Sequence, residues 1–129
     1  MDEKEITYVV ESRSNFEDTV VAVRRAVEAK GWVVMQVYDY REILASKGFK
    51  QPPLKIIEIC SGRYANNFLN QNRLTSLCMP CKINVFEKDG RVLIATMRPS
   101  MMSEIFAGLN GEQLEALEQE LIEIVENAR

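Results

Sequence analysis

Three cysteines carry most of the chemistry available to this chain. Cys78 and Cys81 form a C-x-x-C in Leu77-Cys78-Met79-Pro80-Cys81, and Cys60 lies upstream in Ile59-Cys60-Ser61-Gly62. Histidine is absent from all 129 residues, so neither a thiol–imidazole pair nor an imidazole metal ligand can be built. Three thiolates drawn together would suit a soft cation, Zn(II) or Cu(I), or an iron–sulfur cluster completed by another ligand. Cys60, Cys78 and Cys81 are therefore the candidate metal ligands. Redox chemistry is the alternative: Cys78 and Cys81 could cycle between dithiol and disulfide, because C-x-x-C spacing often depresses one thiol pKa. A third reading needs no chemistry, since free cysteine packs as a small hydrophobe and Cys81 alternates onto one face with Ile83 and Val85. The missing fourth ligand counts against structural zinc. The order of elements counts against a thioredoxin-like site, because here the motif precedes a strand instead of opening a helix.

Few other residues are placed to assist. Arg63, Tyr64 and Asn67 follow Cys60 closely and are candidates to line a polar pocket beside the thiols, although the same residues would serve as a solvated helix face. Glu58 interrupts an apolar strand two residues before Cys60 and by alternation shares its face, so it is a candidate ligand, base or open-face residue. Met79, Met97, Met101 and Met102 could supply thioethers to copper, yet methionine more often fills gaps in a core. No set of nucleophile, base and oxyanion donors can be assembled, which favours a binding or interaction module over an enzyme.

The elements that must position these residues are legible from periodicity. Ile6–Glu11 reads as a strand rich in β-branched and aromatic residues. Ser14 and Glu17 suit a capping box opening a helix with Phe16, Val20, Val23 and Val27 on its apolar face. Gly31 suits that helix's left-handed terminus. Trp32–Val37 is apolar at nearly every position and predicts a strand covered on both faces. Arg41–Lys47 reads as a short helix with Ile43 and Leu44 inward, and Pro52-Pro53 as a rigid connector. Leu54–Cys60 is a third strand that carries Cys60 to its end, and Arg63–Asn70 a helix. Cys81–Glu87 and Val92–Met97 flank Asp89-Gly90, a strong hairpin signal. A short helical segment follows Pro99, and Asn110 caps a last helix whose stripe is Leu114, Leu117, Leu121, Ile124, Val125 and Ala128, with its glutamates forming a solvated face. The succession predicts a single α+β domain over residues 1–129: one largely antiparallel sheet with two long amphipathic helices on it.

Composition sets the outer limits. The hydrophobic fraction is 47% and the charged fraction 27%, ordinary for a globular chain. A net charge of −3 argues against general nucleic-acid binding and against docking on anionic membranes, both of which need clustered Lys and Arg. Three cysteines do not make a secreted disulfide framework, and no apolar run approaches the roughly 20 residues of a membrane span. A soluble, cytoplasmic protein is expected.

Several segments together resemble a known family: Lys30-Gly31-Trp32 after a β-α-β start, Ile56-Ile57-Glu58-Ile59-Cys60, Ala65 in a short helix, Met79-Pro80-Cys81-Lys82-Ile83-Asn84-Val85, and Pro99-x-Met101-Met102. This pattern is similar to the prokaryotic family called domain of unknown function 302, and the likeness spans nearly the whole chain. The resemblance implies a fold like that of the TATA-binding protein, a curved antiparallel sheet with helices on one side, and a homodimer. It implies no activity, because none is established for the family. Two positions depart from its pattern. Ser61-Gly62 stands where the family has Asn-Pro, and Cys78 where it has an aliphatic residue, so the pattern covers Cys60 and Cys81 alone. DNA binding does not follow from the fold, since this acidic chain lacks the basic and inserted aromatic residues such binding uses. The sequence thus predicts a homodimeric ligand-binding or interaction module with a cysteine-lined site at the strand ends. Cys60 and Cys81 are the expected cross-strand pair.

Overall fold

The computed structural model describes all 129 residues. Five strands form one antiparallel sheet in the order β1-β5-β4-β3-β2: β1 Thr7–Glu11, β2 Val33–Asp39, β3 Leu54–Cys60, β4 Cys81–Lys88 and β5 Arg91–Met97. Helices α1 Glu3–Ile6, α2 Phe16–Ala29, α3 Tyr40–Ala45, α4 Gly62–Gln71 and α5 Gly111–Ala128 connect and cover them, with 3₁₀ turns at Arg73–Cys78 and Pro99–Glu104. The opening β1-α2-β2 unit places its two strands at opposite edges of the sheet, so α2 crosses the whole of one face.

Period-2 alternation sorts the strand residues into two faces. One row runs Tyr8-Thr96-Ile83-Ile57-Val37 across all five strands, and the row Cys81-Ile59-Val34 lies on the same side. Ile57, Ile59, Ile83, Val85 and Ile94 on this side are fully buried against Val23 and Val27 of α2 and Leu121, Ile124 and Val125 of α5. The opposite face carries the row Val9-Ala95-Asn84-Ile56-Tyr38 and lies away from the core that α2 and α5 build.

Local chemistry explains the element ends. Asn15 is the cap of α2, its side chain accepting from the Asp18 N–H at 2.8 Å; the Ser14–Glu17 capping box is not used. Gly31, with φ of 83°, follows the last turn of α2 in the left-handed conformation that glycine adopts freely. Asp89 and Gly90 both have positive φ, which gives the β4–β5 hairpin the type I′ twist its sequence predicts. Asn110 caps α5 by accepting from Gln113 N–H at 3.0 Å.

Three further expectations are corrected. β2 is an edge strand, not one covered on both faces: Val33 is 61% exposed and Met35 56%. A register shift between Val34 and Gln36 bulges this edge at Met35, one of the devices that protect edge strands from pairing with other chains. Ile43 points outward from α3, a helix that buries no residue. The α5 glutamates are not simply a solvated face. Glu126 accepts from the Tyr8 hydroxyl of β1, Glu123 pairs with Lys30 after α2, and Glu118 accepts from Ser100 N–H at 3.0 Å. Along its flanks α5 is thus tied to three separate segments by charge-assisted hydrogen bonds, which are stronger than neutral ones.

Candidate functional site

The C-terminal end of β3 and the start of β4 meet at one end of the sheet, as the strand order demands. The register there pairs Cys81 with Ile59, and Cys60 with Val33 of β2. Cys60 and Cys81 are therefore offset by one residue and are not the expected cross-strand pair. A one-residue offset on alternating strands sends successive side chains to opposite faces: Cys81 shares the helix-covered face with Ile59, while Cys60 follows the face of Glu58. Cys60 is also the last residue of β3, where Ser61 turns the chain into α4, and it lines the cavity at that turn. Cys78 ends a 3₁₀ turn and, with Met79, packs on the core from the loop side. The Met79–Pro80 peptide is cis.

These elements border a half-open cavity of about 230 Å³ lined by 13 residues, 11 of them hydrophobic. All three cysteines contribute to it, and no lysine, arginine, aspartate or glutamate does. α4 supplies the outer wall through Tyr64, Ala65 and Phe68, with the Tyr64 and Phe68 rings stacked 12° from parallel at 6.4 Å. A second cavity, also of about 230 Å³, lies across the Cys78–Cys81 loop and shares Cys78, Pro80, Cys81 and Met102 with the first. Its walls include Lys82 and Arg98. Arg98 is already committed, donating to Thr7 C=O at 3.2 Å and to Glu118 at 3.4 Å.

The electrostatics of the thiols follow from this burial. Cys81 is pushed up from 9.0 to about 11, chiefly because its thiolate would be desolvated and next because Cys60 lies near enough for its charge to oppose a second one. Lys82 pulls the other way more weakly. At neutral pH Cys81 is thus a protonated thiol and a poor nucleophile. All three cysteines are free.

The three-thiolate metal site is not assembled. No group of three or more cysteine, aspartate or glutamate side chains is gathered closely enough to hold a metal ion. The physical reason is the one-residue offset of Cys60 from Cys81 in the register.

The other expected pocket residues separate. Tyr64 lines the cysteine cavity, whereas Arg63 and Asn67 line a shallow depression between α4 and α5. Glu58 lies on the open face beside Lys82 and Gln36 in register, where its carboxylate raises the Tyr38 hydroxyl pKa, by hydrogen bonding above all. Met79 and Met102 line the cavity, while Met97 and Met101 line its neighbour. Ser61, Ala65, Phe68, Met35 and Leu117 also line the cavity and are not among the site residues expected from the sequence. Ala65 and Phe68 share the helical face of Tyr64 at i+1 and i+4, which is the signal that could have found them.

Glu120 of α5 holds the outer wall in place. Trp32 donates its indole N–H to Glu120 at 3.1 Å, the Tyr64 hydroxyl donates to the same carboxylate, and Arg63 reaches it at 3.4 Å. Burial, followed by this hydrogen bond, raises the Tyr64 pKa. At its other end α4 is tied down through Gln71, which accepts from Asn110 N–H at 2.7 Å.

A family model described as "Domain of unknown function DUF302" matches residues 8–128. The chain belongs to this family. The DUF302 match includes β2 to β5 in full, β1 from Tyr8 onward, and all three cysteines. The crystal structure of an uncharacterized conserved DUF302 protein from Bacillus stearothermophilus superposes with a TM-score of 0.88 at 25% identity, covering 95% of this chain and 98% of that one. Comparison with curated proteins finds no match. The DUF302 assignment thus carries the α+β fold and supplies no activity. No helix is long and apolar enough to cross a membrane.

Proposed function

We propose that this DUF302 chain is a non-catalytic binding module, acting as a homodimer, that takes a small uncharged ligand in the cavity between α4 and the cysteine loop. The observation that carries this reading is the wall of that cavity: about 230 Å³ bounded by 13 residues, 11 of them hydrophobic and none charged. Ligand sites are typically concave, mostly apolar and few per protein, and an occupant here would remove an almost wholly apolar lining from water. A thiol-exchange or nucleophilic role for the C-x-x-C is less well supported, since the Cys81 thiol is held at about 11 and exchange needs a thiolate near ambient pH.

Xenon tests the cavity without presupposing the ligand, because xenon partitions into apolar space. Methyl-labelled protein under xenon pressure is expected to show saturable shifts confined to the lining methyl groups of Met35, Ile59, Ala65, Met79, Met102 and Leu117. In Ala65→Phe, which fills the space from the α4 wall, the shifts should vanish. Shifts spread evenly over the molecule would overturn the reading.

A further inference from the structure

The wall chemistry narrows the ligand further. Six of the lining side chains carry sulfur, namely Met35, Cys60, Cys78, Met79, Cys81 and Met102. Two more are aromatic, the stacked pair Tyr64 and Phe68. Thioether and thiol sulfur is soft and polarisable, and its favourable partner is the edge of an aromatic ring. Stacked rings likewise favour a further ring in offset or edge-on contact. Hydrogen-bonding capacity is sparse. The Tyr64 hydroxyl is turned to Glu120 outside the cavity, which leaves Ser61 as the lining side chain with a free hydroxyl, since it makes no capping bond to α4.

From these features we infer that the cavity selects a neutral aromatic compound of one or two rings bearing at most one small polar group. This inference rests on the ligand-binding reading above and specifies its ligand class. Charge is disfavoured because a carboxylate or ammonium would be desolvated with no counter-charge on the wall. Size sets the ring count: an engineered apolar cavity of about 150 Å³ holds benzene, so about 230 Å³ accommodates one ring with a substituent or a fused pair. The polar group would face Ser61 at the rim while the rings lie among the sulfurs.

Three probes of one skeleton separate these requirements in calorimetric titrations of the intact protein at pH 7: 2-naphthol, decahydro-2-naphthol and 2-naphthoate. The expectation is one 2-naphthol per chain, bound roughly tenfold or more tightly than the saturated alcohol, because one or two sulfur–aromatic contacts are worth about that factor. 2-Naphthoate should bind at least about tenfold more weakly than 2-naphthol, for want of a cation. Met79→Leu keeps the apolar volume and removes one sulfur, a change of the kind cores tolerate. It should lower affinity for 2-naphthol and leave decahydro-2-naphthol unchanged. Equal affinity for the aromatic and saturated alcohols, or preference for the carboxylate, would overturn the aromatic inference while the cavity reading stands. Failure of all three probes to bind, with xenon also excluded, would overturn both.

Discussion

Cys81 occupies the first position of β4 between two cavities, and burial decides what its sulfur can do. A rise from 9.0 to about 11 cuts its thiolate fraction at neutral pH by roughly a hundredfold, while the greater intrinsic nucleophilicity of a more basic thiolate returns about a tenfold factor. Cys81 is therefore expected to react with iodoacetamide at least about tenfold more slowly than an unfolded cysteine, with the rate still rising at pH 10. Mass spectrometry of alkylated peptides over a pH series checks this; half-maximal reaction near pH 8 would contradict it. The same shift links to stability. Because the folded pKa is raised, the protonated thiol's contribution is complete below about pH 9 and is lost as pH rises through about 11, an alkaline decline of roughly 3 kcal/mol. Cys81→Ala should show a correspondingly shallower decline in urea midpoints between pH 8 and 11. The C-x-x-C itself was visible at once in the sequence. The chemical state of its second sulfur was not, because desolvation depends on Ile59 and the helices that cover it.

At the scale of elements, α5 organises the molecule twice over. Its stripe of Leu114, Leu117, Leu121, Ile124, Val125 and Ala128 is buried throughout, as helical periodicity alone predicts. Its glutamates then latch neighbouring segments, and Glu120 is the latch nearest the site. Trp32 and Tyr64 are 5% and 7% exposed, so Glu120→Ala leaves two buried donors without a partner and should cost about 1–3 kcal/mol. Arg63 is 71% exposed at its ion pair with Glu120, so Arg63→Ala should change stability by less than about 1 kcal/mol. Urea unfolding followed through Trp32, the only tryptophan, measures both; equal costs would refute this division of roles. Sequence reasoning could not tell these latches from solvated glutamates, because both read as the polar side of one amphipathic helix. Nor could it choose between Ser14 and Asn15 as the α2 cap, two adjacent residues of nearly equal capping strength. The Cys60–Cys81 offset was hidden for a related reason: register is a property of two strands pairing, and neither strand alone specifies it.

At the scale of the whole molecule, the two long helices α2 and α5 cover one face of the sheet, and the other face carries many apolar residues. Val9, Ala95, Ile56, Leu54, Phe86 and Leu93 lie on it in adjacent register rows. At its centre the Asn84 side-chain oxygen is buried with no hydrogen-bond partner, a costly state unless another group meets it. An uncovered antiparallel face is ordinarily polar, so this one calls for a partner. A second copy suits it by charge: Lys82 and Glu58 are cross-strand neighbours, and a two-fold axis can set each against its opposite in the other chain. The area also suffices, since five strands spaced about 4.8 Å apart and about 24 Å long present roughly 550 Å² per copy, and two copies together exceed the approximate 1,000 Å² of a specific interface. Sedimentation equilibrium is therefore expected to give twice the chain mass at micromolar concentration. Ala95→Glu puts an unpaired carboxylate in the middle of the face, where its desolvation should weaken association by at least about a hundredfold, while an outward-facing position leaves the helix-side core untouched. A monomeric wild-type chain, or an Ala95→Glu protein that keeps its dimer mass with unchanged circular dichroism, would show that this face is not where two copies meet.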